Sequence, residues 1–102
     1  MWAQLITTRL KPGKDDGLAR LAEQLRATEQ SGSGLVHSTI TQDQKDPSKV
    51  YMFVVFESEE KARLRENDER RQEGLTAARA TMSDILEGAR EFVDLTVVAD
   101  WT

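Results

Sequence analysis

The chain has 102 residues, and its 14 basic and 18 acidic side chains leave a formal net charge of −4. That length supports one hydrophobic core, so we expect a single domain over residues 1–102, and the acidic balance argues against nucleic acid as a partner. The absence of cysteine excludes disulfides, thiolate catalysis and Cys-ligated metal sites. No apolar run reaches membrane-spanning length, and the first residues lack the pattern of a signal peptide, so we expect a cytoplasmic protein with no membrane contact.

The first third of the chain predicts a strand followed by a helix. Trp2 to Leu10 suits a strand, and Pro12-Gly13 ends it. Apolar residues then recur with helical spacing at Leu18, Leu21, Ala22 and Leu25. The small residues Ser31 to Gly34 allow the chain to leave the helix and reverse direction.

A hairpin is predicted next. Leu35 to Gln42 is rich in β-branched residues, and the polar turn Asp43 to Ser48 joins it to a third strand, Lys49 to Glu57. If Asp43 pairs with Lys49, Thr41 lies opposite Tyr51 and His37 lies opposite Val55. Tyr51 and His37 would then share one face of the sheet.

The last part of the chain predicts a broken helix and a final strand. Ser58 is a helix N-cap, and the helical pattern breaks near Asn67-Asp68 before continuing to Gly88. The apolar stripe of the second helical part consists of Leu75, Ala78, Met82, Ile85 and Leu86. Phe92 to Ala99 is the final strand.

The charged stretch from Glu57 to Glu73 is interpreted as a solvated helix face. The pairs Glu59–Arg63 and Glu66–Arg70 stand four residues apart in the favourable order, so both are expected to form ion pairs.

The order of elements is βαββαβ, which predicts an α+β, ferredoxin-like fold with an antiparallel sheet and helices on one face. The third and last strands, however, are apolar on both faces. Helices of one chain cover only one face, and an antiparallel sheet with one wet face normally alternates apolar with polar residues. A second copy of the sheet is the simplest cover, so we expect a homodimer joined through the sheet faces.

The junction Val54-Val55-Phe56-Glu57-Ser58-Glu59-Glu60-Lys61-Ala62 resembles the strand-to-helix junction of the dimeric α/β-barrel superfamily. Within it, the chain resembles the antibiotic-biosynthesis-monooxygenase-like domains over essentially its whole length. The resemblance implies a dimer whose two sheets close into a barrel, with a pocket between sheet and helices in each protomer. Some relatives oxidise aromatic polyketides with dioxygen and no cofactor, whereas others degrade haem or have no known activity.

The chain departs from parts of that family's pattern. Many members carry a His about seven residues after the junction serine. In this chain that position falls near Arg65 and holds no His. The Asn, Trp and His that haem-degrading relatives use are missing from the matching places, so haem degradation is disfavoured. The resemblance implies a cofactor-independent monooxygenase-like protein acting on a small aromatic or enolisable metabolite. The alternative is a non-catalytic dimeric domain that binds a small ligand or serves a stress-related role.

Five residues are the candidates for a site, with no cofactor and no metal expected. His37, the only histidine, and Tyr51, the only tyrosine, are the candidate catalytic bases, although both also have ordinary structural interpretations. Gln4, Arg79 and Met82 are the candidate substrate-binding residues. Any pocket is expected between the sheet and the long helix Asp68–Glu87, with a mostly apolar, aromatic ligand.

Overall fold

A computed structural model describes residues 1–101. Its elements run in the order β1 (Trp2–Leu10), α1 (Gly17–Ala27), β2 (Leu35–Gln42), β3 (Lys49–Phe56), α2 (Glu59–Glu66), α3 (Gln72–Ile85) and β4 (Leu86–Thr96). A short 3₁₀-helix, Glu69–Arg71, connects α2 to α3. The predicted βαββαβ order of the ferredoxin-like fold is therefore confirmed. Among residues 1–101, none of the helices combines the length and apolar character that a membrane crossing requires.

The four strands form one antiparallel sheet in the order β2-β3-β1-β4. The hairpin between β2 and β3 has the predicted register, because the backbone N–H of Asp43 donates to the carbonyl of Lys49 at 3.0 Å. Thr41 pairs with Tyr51 and His37 pairs with Val55. The β2 and β4 strands are the two edges of the sheet.

One face of the sheet packs against the helices and forms the core. Alternate residues of β3 point to this face, and Val50, Met52 and Phe56 are buried there. The main cluster consists of Leu10, Leu18, Leu21, Val50, Met52, Ala78 and Ile85. A smaller cluster of Trp2, Phe56 and Ala62 lies under α2. This packing holds α1 and α3 side by side above the sheet.

The opposite face of the sheet is open and largely apolar. Residues directly opposite each other on antiparallel strands share a face. By the observed register, this face carries Ala3, Leu5, Thr7, His37, Thr39, Thr41, Tyr51, Phe53, Val55, Glu91, Val93 and Leu95. Phe53 lies at its centre, between Leu5 and Thr39, and Val93 is 46% exposed. We call this surface the open face.

The start of α2 and the break after it follow the sequence prediction. The hydroxyl of Ser58 accepts a hydrogen bond from the backbone N–H of Lys61 at 3.2 Å, which caps the helix. The helix ends at Glu66, and Asp68 caps the following 3₁₀-helix by accepting the N–H of Arg70 at 2.9 Å.

One of the two predicted ion pairs in this region is wrong. Arg63 contacts Glu59 at 3.2 Å as expected, but Glu66 also pairs with Arg63, at 3.0 Å. Arg70 instead pairs with Asp68 at 2.6 Å. The spacing of four residues brings side chains together only in a continuous helix, and here the helix ends between Glu66 and Arg70.

The boundary between the last helix and the last strand also differs from the prediction. Helix α3 ends at Ile85, and β4 begins at Leu86 rather than at Phe92. Gly88 lies inside the strand with a φ of +74°, next to a shift in the register between β1 and β4. In a sequence, a glycine after a helical pattern is typical of a helix end. Here Gly88 instead lies at an irregularity within the strand, where its positive φ is needed. The strand stops at Thr96, so Val97–Ala99 lie outside it.

Gly17 is expected to be intolerant of alanine. A Cβ added there would lie 2.5 Å from Cγ2 of Ile85, which is fully buried and cannot move aside. Helix propensity alone favours alanine over glycine by about 1 kcal/mol. We expect the clash to reverse that sign, with Gly17→Ala destabilising the fold by about 1–3 kcal/mol in chemical denaturation. A stabilised variant would contradict the packing at this position.

Candidate functional site

A cavity of about 650 Å³ lies between the helix-covered face of the sheet and helices α1 and α3. The sheet contributes Ile6, Leu35, Val36, His37, Ser38, Ile40, Met52 and Val54 to its lining, α1 contributes Ala22, Leu25 and Arg26, and α3 contributes Leu75, Arg79 and Met82. Glu29, Arg65, Arg71 and Arg90 complete the lining. The position agrees with the expectation of a pocket between the sheet and the long helix.

The apolar wall of the cavity is not the one that helical spacing alone predicts. Leu75 and Met82 of α3 line it, but Ala78 and Ile85 of the same predicted stripe are fully buried in the core. Ala78 and Ile85 pack against the sheet in the core cluster, and the cavity lies beside them. The space is therefore bounded by apolar side chains from both layers, as in typical small-molecule sites.

The charged part of the lining is strongly positive. Five arginines line the cavity (Arg26, Arg65, Arg71, Arg79 and Arg90), and Glu29 is the one acidic residue among its lining residues. The chain as a whole has a net charge of −4, so the cavity collects positive charge against the general balance of the molecule. A low-dielectric cleft with charge of one sign attracts ligands of the opposite sign.

Glu29 is committed to Arg65. Oε1 of Glu29 accepts from Nε and Nη2 of Arg65 at 2.9 and 2.7 Å, and the pair is mostly shielded from solvent. Burial alone would raise the pKa of Glu29, but hydrogen bonds from Arg65 and Ser33 outweigh it and hold the pKa below its ordinary value. Glu29 therefore stays ionised and pairs directly with Arg65, and its charge also acts on Arg71.

The Glu29–Arg65 pair predicts a loss of stability in acid. A carboxyl whose pKa is lowered by folding stabilises the fold above its unfolded pKa, about 4.5, and loses that contribution as the pH falls through the folded pKa. Glu29→Gln should cost about 1–3 kcal/mol at neutral pH and make the acid decline of the unfolding free energy less steep. Hydrogen bonds from Arg70 lower the pKa of Asp68 to about 2. Protonation of Asp68 therefore lowers the unfolding free energy in acid both in the wild-type protein and in Glu29→Gln. Denaturation curves of the wild-type protein and of Glu29→Gln across the acid range measure this difference. If the unfolding free energies of the two proteins fell in parallel as the pH decreased, the prediction would be contradicted.

Arg71 is the most buried charge in the lining, with 4% of its surface exposed. Its Nη1 donates to the carbonyl of Arg65 at 3.1 Å and its Nη2 lies 3.5 Å from the hydroxyl of Thr28, while Nε has no partner among residues 1–101. Burial lowers the pKa of Arg71, and the neighbouring charge of Arg65 lowers it further.

Three of the five predicted site residues line this cavity. Arg79 and Met82 stand three residues apart on one face of α3. His37 lies on the edge strand β2, directly after a shift in its register with β3, and is exposed. The register assigns it to the open face, and its place on the sheet edge lets it border the cavity as well.

The structure does not bring Tyr51 and Gln4 to this cavity. Tyr51 belongs to the open face, where it lines a shallower depression of about 610 Å³ next to Gly88. Gln4 donates to Asp94 of β4 at 2.9 Å, and Asp94 in turn pairs with Arg63 at 3.1 Å. Neither residue is grouped with His37, Arg79 and Met82 in a single cavity.

Sequence reasoning missed four of the arginines. Arg26, Arg65, Arg71 and Arg90 come from four different elements and meet only in the folded chain. Arg65 and Arg71 lie in the charged stretch interpreted as a solvated helix face, a description that holds for Arg63 but not for buried Arg71. The one available signal was the break at Asn67-Asp68, after which Arg71 is buried while Glu69 and Arg70 stay exposed.

Solved structures of low sequence identity share the fold. A candidate antibiotic biosynthesis monooxygenase from Nitrosomonas europaea superimposes with a TM-score of 0.76 at 14% identity, covering 97% of this chain and 100% of its own. A second such protein, from Chloroflexus aurantiacus J-10-fl, gives 0.71 at 22% identity, with 100% and 98% covered. A third, from Bordetella bronchiseptica, gives 0.74 at 12% identity, with 96% and 97% covered.

Sequence comparison supplies the family. No curated protein sequence matches the chain. The sequence profile of the antibiotic biosynthesis monooxygenase family matches residues 1–74, from β1 into the start of α3. These residues include the hairpin and the strand-to-helix junction on which the resemblance depended. The chain belongs to the antibiotic biosynthesis monooxygenase family.

Proposed function

We propose that the protein is a cofactor-independent monooxygenase acting on a small aromatic or enolisable metabolite. The observation that carries this proposal is the cavity between sheet and helices, which combines apolar walls with an arginine-rich lining. An aromatic body would be buried against the apolar walls, and an enolate or phenolate oxygen would be stabilised by the guanidinium groups.

The proposed oxidation requires an anion of the substrate and a site from which water is excluded. Removal of a proton next to a carbonyl gives an enolate, which transfers electrons to dioxygen. A methylene carbon that loses two hydrogens becomes a carbonyl with one oxygen atom, and the second oxygen atom leaves as water. The substrate supplies all the electrons, so the protein has to bind, deprotonate and exclude water.

Three residues receive roles in this proposal. His37 is the candidate base, because an imidazole nitrogen can accept a proton and the residue borders the cavity. Arg79 stabilises the developing oxyanion, and Met82 packs against the ring. Tyr51 stays an alternative base only if the ligand reaches the open face, and Gln4 stays an alternative polar contact only if Asp94 releases it.

We also propose that the protein is a homodimer joined through the open face. On this face the apolar side chains Leu5, Phe53 and Val55 of the central strands are half-buried, and Val93 of β4 is exposed. Soluble monomers seldom expose apolar patches larger than a few hundred Å². A second copy buries the same residues on both sides, as a two-fold interface requires.

One observation favours a non-catalytic alternative, in which the domain binds a small ligand without transforming it. Among residues 1–101 no side chain forms a hydrogen bond with His37, and the residue is exposed. A catalytic histidine is usually oriented by a second group. Binding without turnover would therefore fit the same cavity.

Oxygen uptake with anthrone as the probe separates these two functions. We expect uptake above the spontaneous rate, with one heavy atom per product molecule when isotopically heavy dioxygen is used. His37→Gln should reduce the rate at least about tenfold, whereas Thr39→Val, two residues along the same strand, should leave it unchanged. Saturable binding of anthrone with no uptake would support the ligand-binding alternative. No binding would contradict both.

A further inference from the structure

The charges around the cavity are not balanced by the protein itself. Of the five lining arginines, Arg65 has the one lining carboxylate as its partner. Arg26 has only a distant contact, 3.9 Å, with Glu23 on the exposed side of α1. Among residues 1–101, Arg71, Arg79 and Arg90 form no ion pair within 4.0 Å.

The three arginines that form no ion pair line the same cavity. Nη1 of Arg90 lies 3.1 Å from Sδ of Met82, and Met82 follows Arg79 by three residues on the same face of α3. The positive charge of Arg79 is one of the causes that lower the pKa of Arg71, so these two groups repel each other. Met82 therefore stands beside Arg79 and Arg90, which form no ion pair within 4.0 Å among residues 1–101. The charge of buried Arg71 is offset only in part, by Glu29 and Asp68.

Such an arrangement is costly in the unliganded protein. A buried cation loses hydration, and Arg71 is shielded from solvent and repelled by Arg65 and Arg79. The attraction of Glu29 and Asp68 does not outweigh these effects, because the pKa of Arg71 is still lowered. A negatively charged group placed between Arg79 and Arg90 would relieve this repulsion. Arginine suits planar oxyanions, because its guanidinium can donate two parallel hydrogen bonds to one carboxylate.

We propose that the ligand of this cavity carries a carboxylate in addition to its aromatic body, and that Arg79 and Arg90 bind the carboxylate over the buried charge of Arg71. This deepens the proposed function by naming the substrate class, an aromatic carboxylic acid, and it rests on the same cavity. The ring lies against Met82 and Leu75, and the carboxylate points toward the open end of the cavity, where Arg79 and Arg90 are exposed.

Calorimetric titration with two probes of equal shape tests the proposal. Naphthoate and naphthamide have the same ring system, and only naphthoate is charged. We expect naphthoate to bind at least about tenfold more tightly, as a charge-assisted hydrogen bond to arginine implies. Arg79→Gln should reduce naphthoate affinity about tenfold and leave naphthamide affinity unchanged. The matched control is Arg20→Gln, an exposed arginine on α1 outside the cavity lining, and it should change neither affinity.

The outcomes distinguish this proposal from the proposed function. Equal affinities for the two probes, or tighter binding of naphthamide, would overturn the carboxylate while keeping an aromatic site. Naphthyl phosphate binding more tightly than naphthoate would overturn it in favour of a different anion. Binding of no aromatic probe would overturn both proposals. A loss of naphthoate affinity in Arg20→Gln equal to that in Arg79→Gln would show that general charge, and not this cluster, attracts the ligand.

Discussion

Replacing Phe53 with glutamate is expected to convert the proposed dimer into a monomer. Phe53 lies at the centre of the open face, opposite Leu5 on one neighbouring strand and Thr39 on the other. In a two-fold interface each copy would bury one added carboxylate against apolar side chains. Each unpaired buried charge costs about 3–5 kcal/mol, and the two-fold interface would contain two of them, so the dissociation constant should rise at least about a thousandfold.

Light scattering coupled to size exclusion at micromolar concentration measures this effect. Leu64→Glu is the control, because Leu64 is 65% exposed on α2, away from the open face, and should leave the dimer intact. A monomeric wild-type protein, or a Phe53→Glu variant that stays dimeric, would contradict the proposed interface. Because the open face is solvated in a monomer, the variant should keep the far-UV spectrum of the folded chain.

Filling the cavity with a tryptophan is expected to abolish ligand binding. Ala22 lies on α1 and lines the cavity, so an indole at this position would occupy the space of the aromatic body. A ligand that loses on the order of 100–200 Å² of buried apolar surface loses about 2.5–5 kcal/mol at about 25 cal/mol/Å², or roughly a hundredfold or more in affinity.

Ala19→Trp is the matched control for this variant. Ala19 lies on the same helix but is exposed and does not line the cavity. Titration with naphthoate should give wild-type affinity for Ala19→Trp and no measurable binding for Ala22→Trp. Thermal unfolding of both variants shows whether the added indole has damaged the core. Wild-type affinity in a well-folded Ala22→Trp protein would exclude this cavity as the site.

The sheet could be predicted from the sequence because its signals are local. Asp43 and Lys49 close a short turn, so the register and the pairing of His37 with Val55 were predictable. Which residues of β3 face the helices was not predictable, because this strand is apolar on both faces. The beginning of β4 was not. Gly88 follows a helical pattern directly, and only tertiary pairing with β1 shows that Leu86 already belongs to a strand.

The charged residues of the candidate site come together only in the folded chain, so most of them could not be predicted from the sequence. Arg79 and Met82 were predictable because one helix carries both. Arg71 was not, since its position in a run of charged residues predicts solvent exposure, whereas the break at Asn67-Asp68 turns it into the interior. Tyr51 and Gln4 were predicted as site residues because polar residues are scarce on these strands. A position on a strand does not show that Gln4 donates a hydrogen bond to Asp94. Nor does it show that Tyr51 lines a separate depression.

The crystal structure of the naphthoate complex tests the central claim most directly, namely that the cavity between the sheet and helices α1 and α3 binds an aromatic anion. We expect the ring between Leu75 and Met82 and the carboxylate within hydrogen-bonding distance of Arg79 or Arg90. Naphthoate bound on the open face beside Tyr51, with this cavity empty, would contradict the claim.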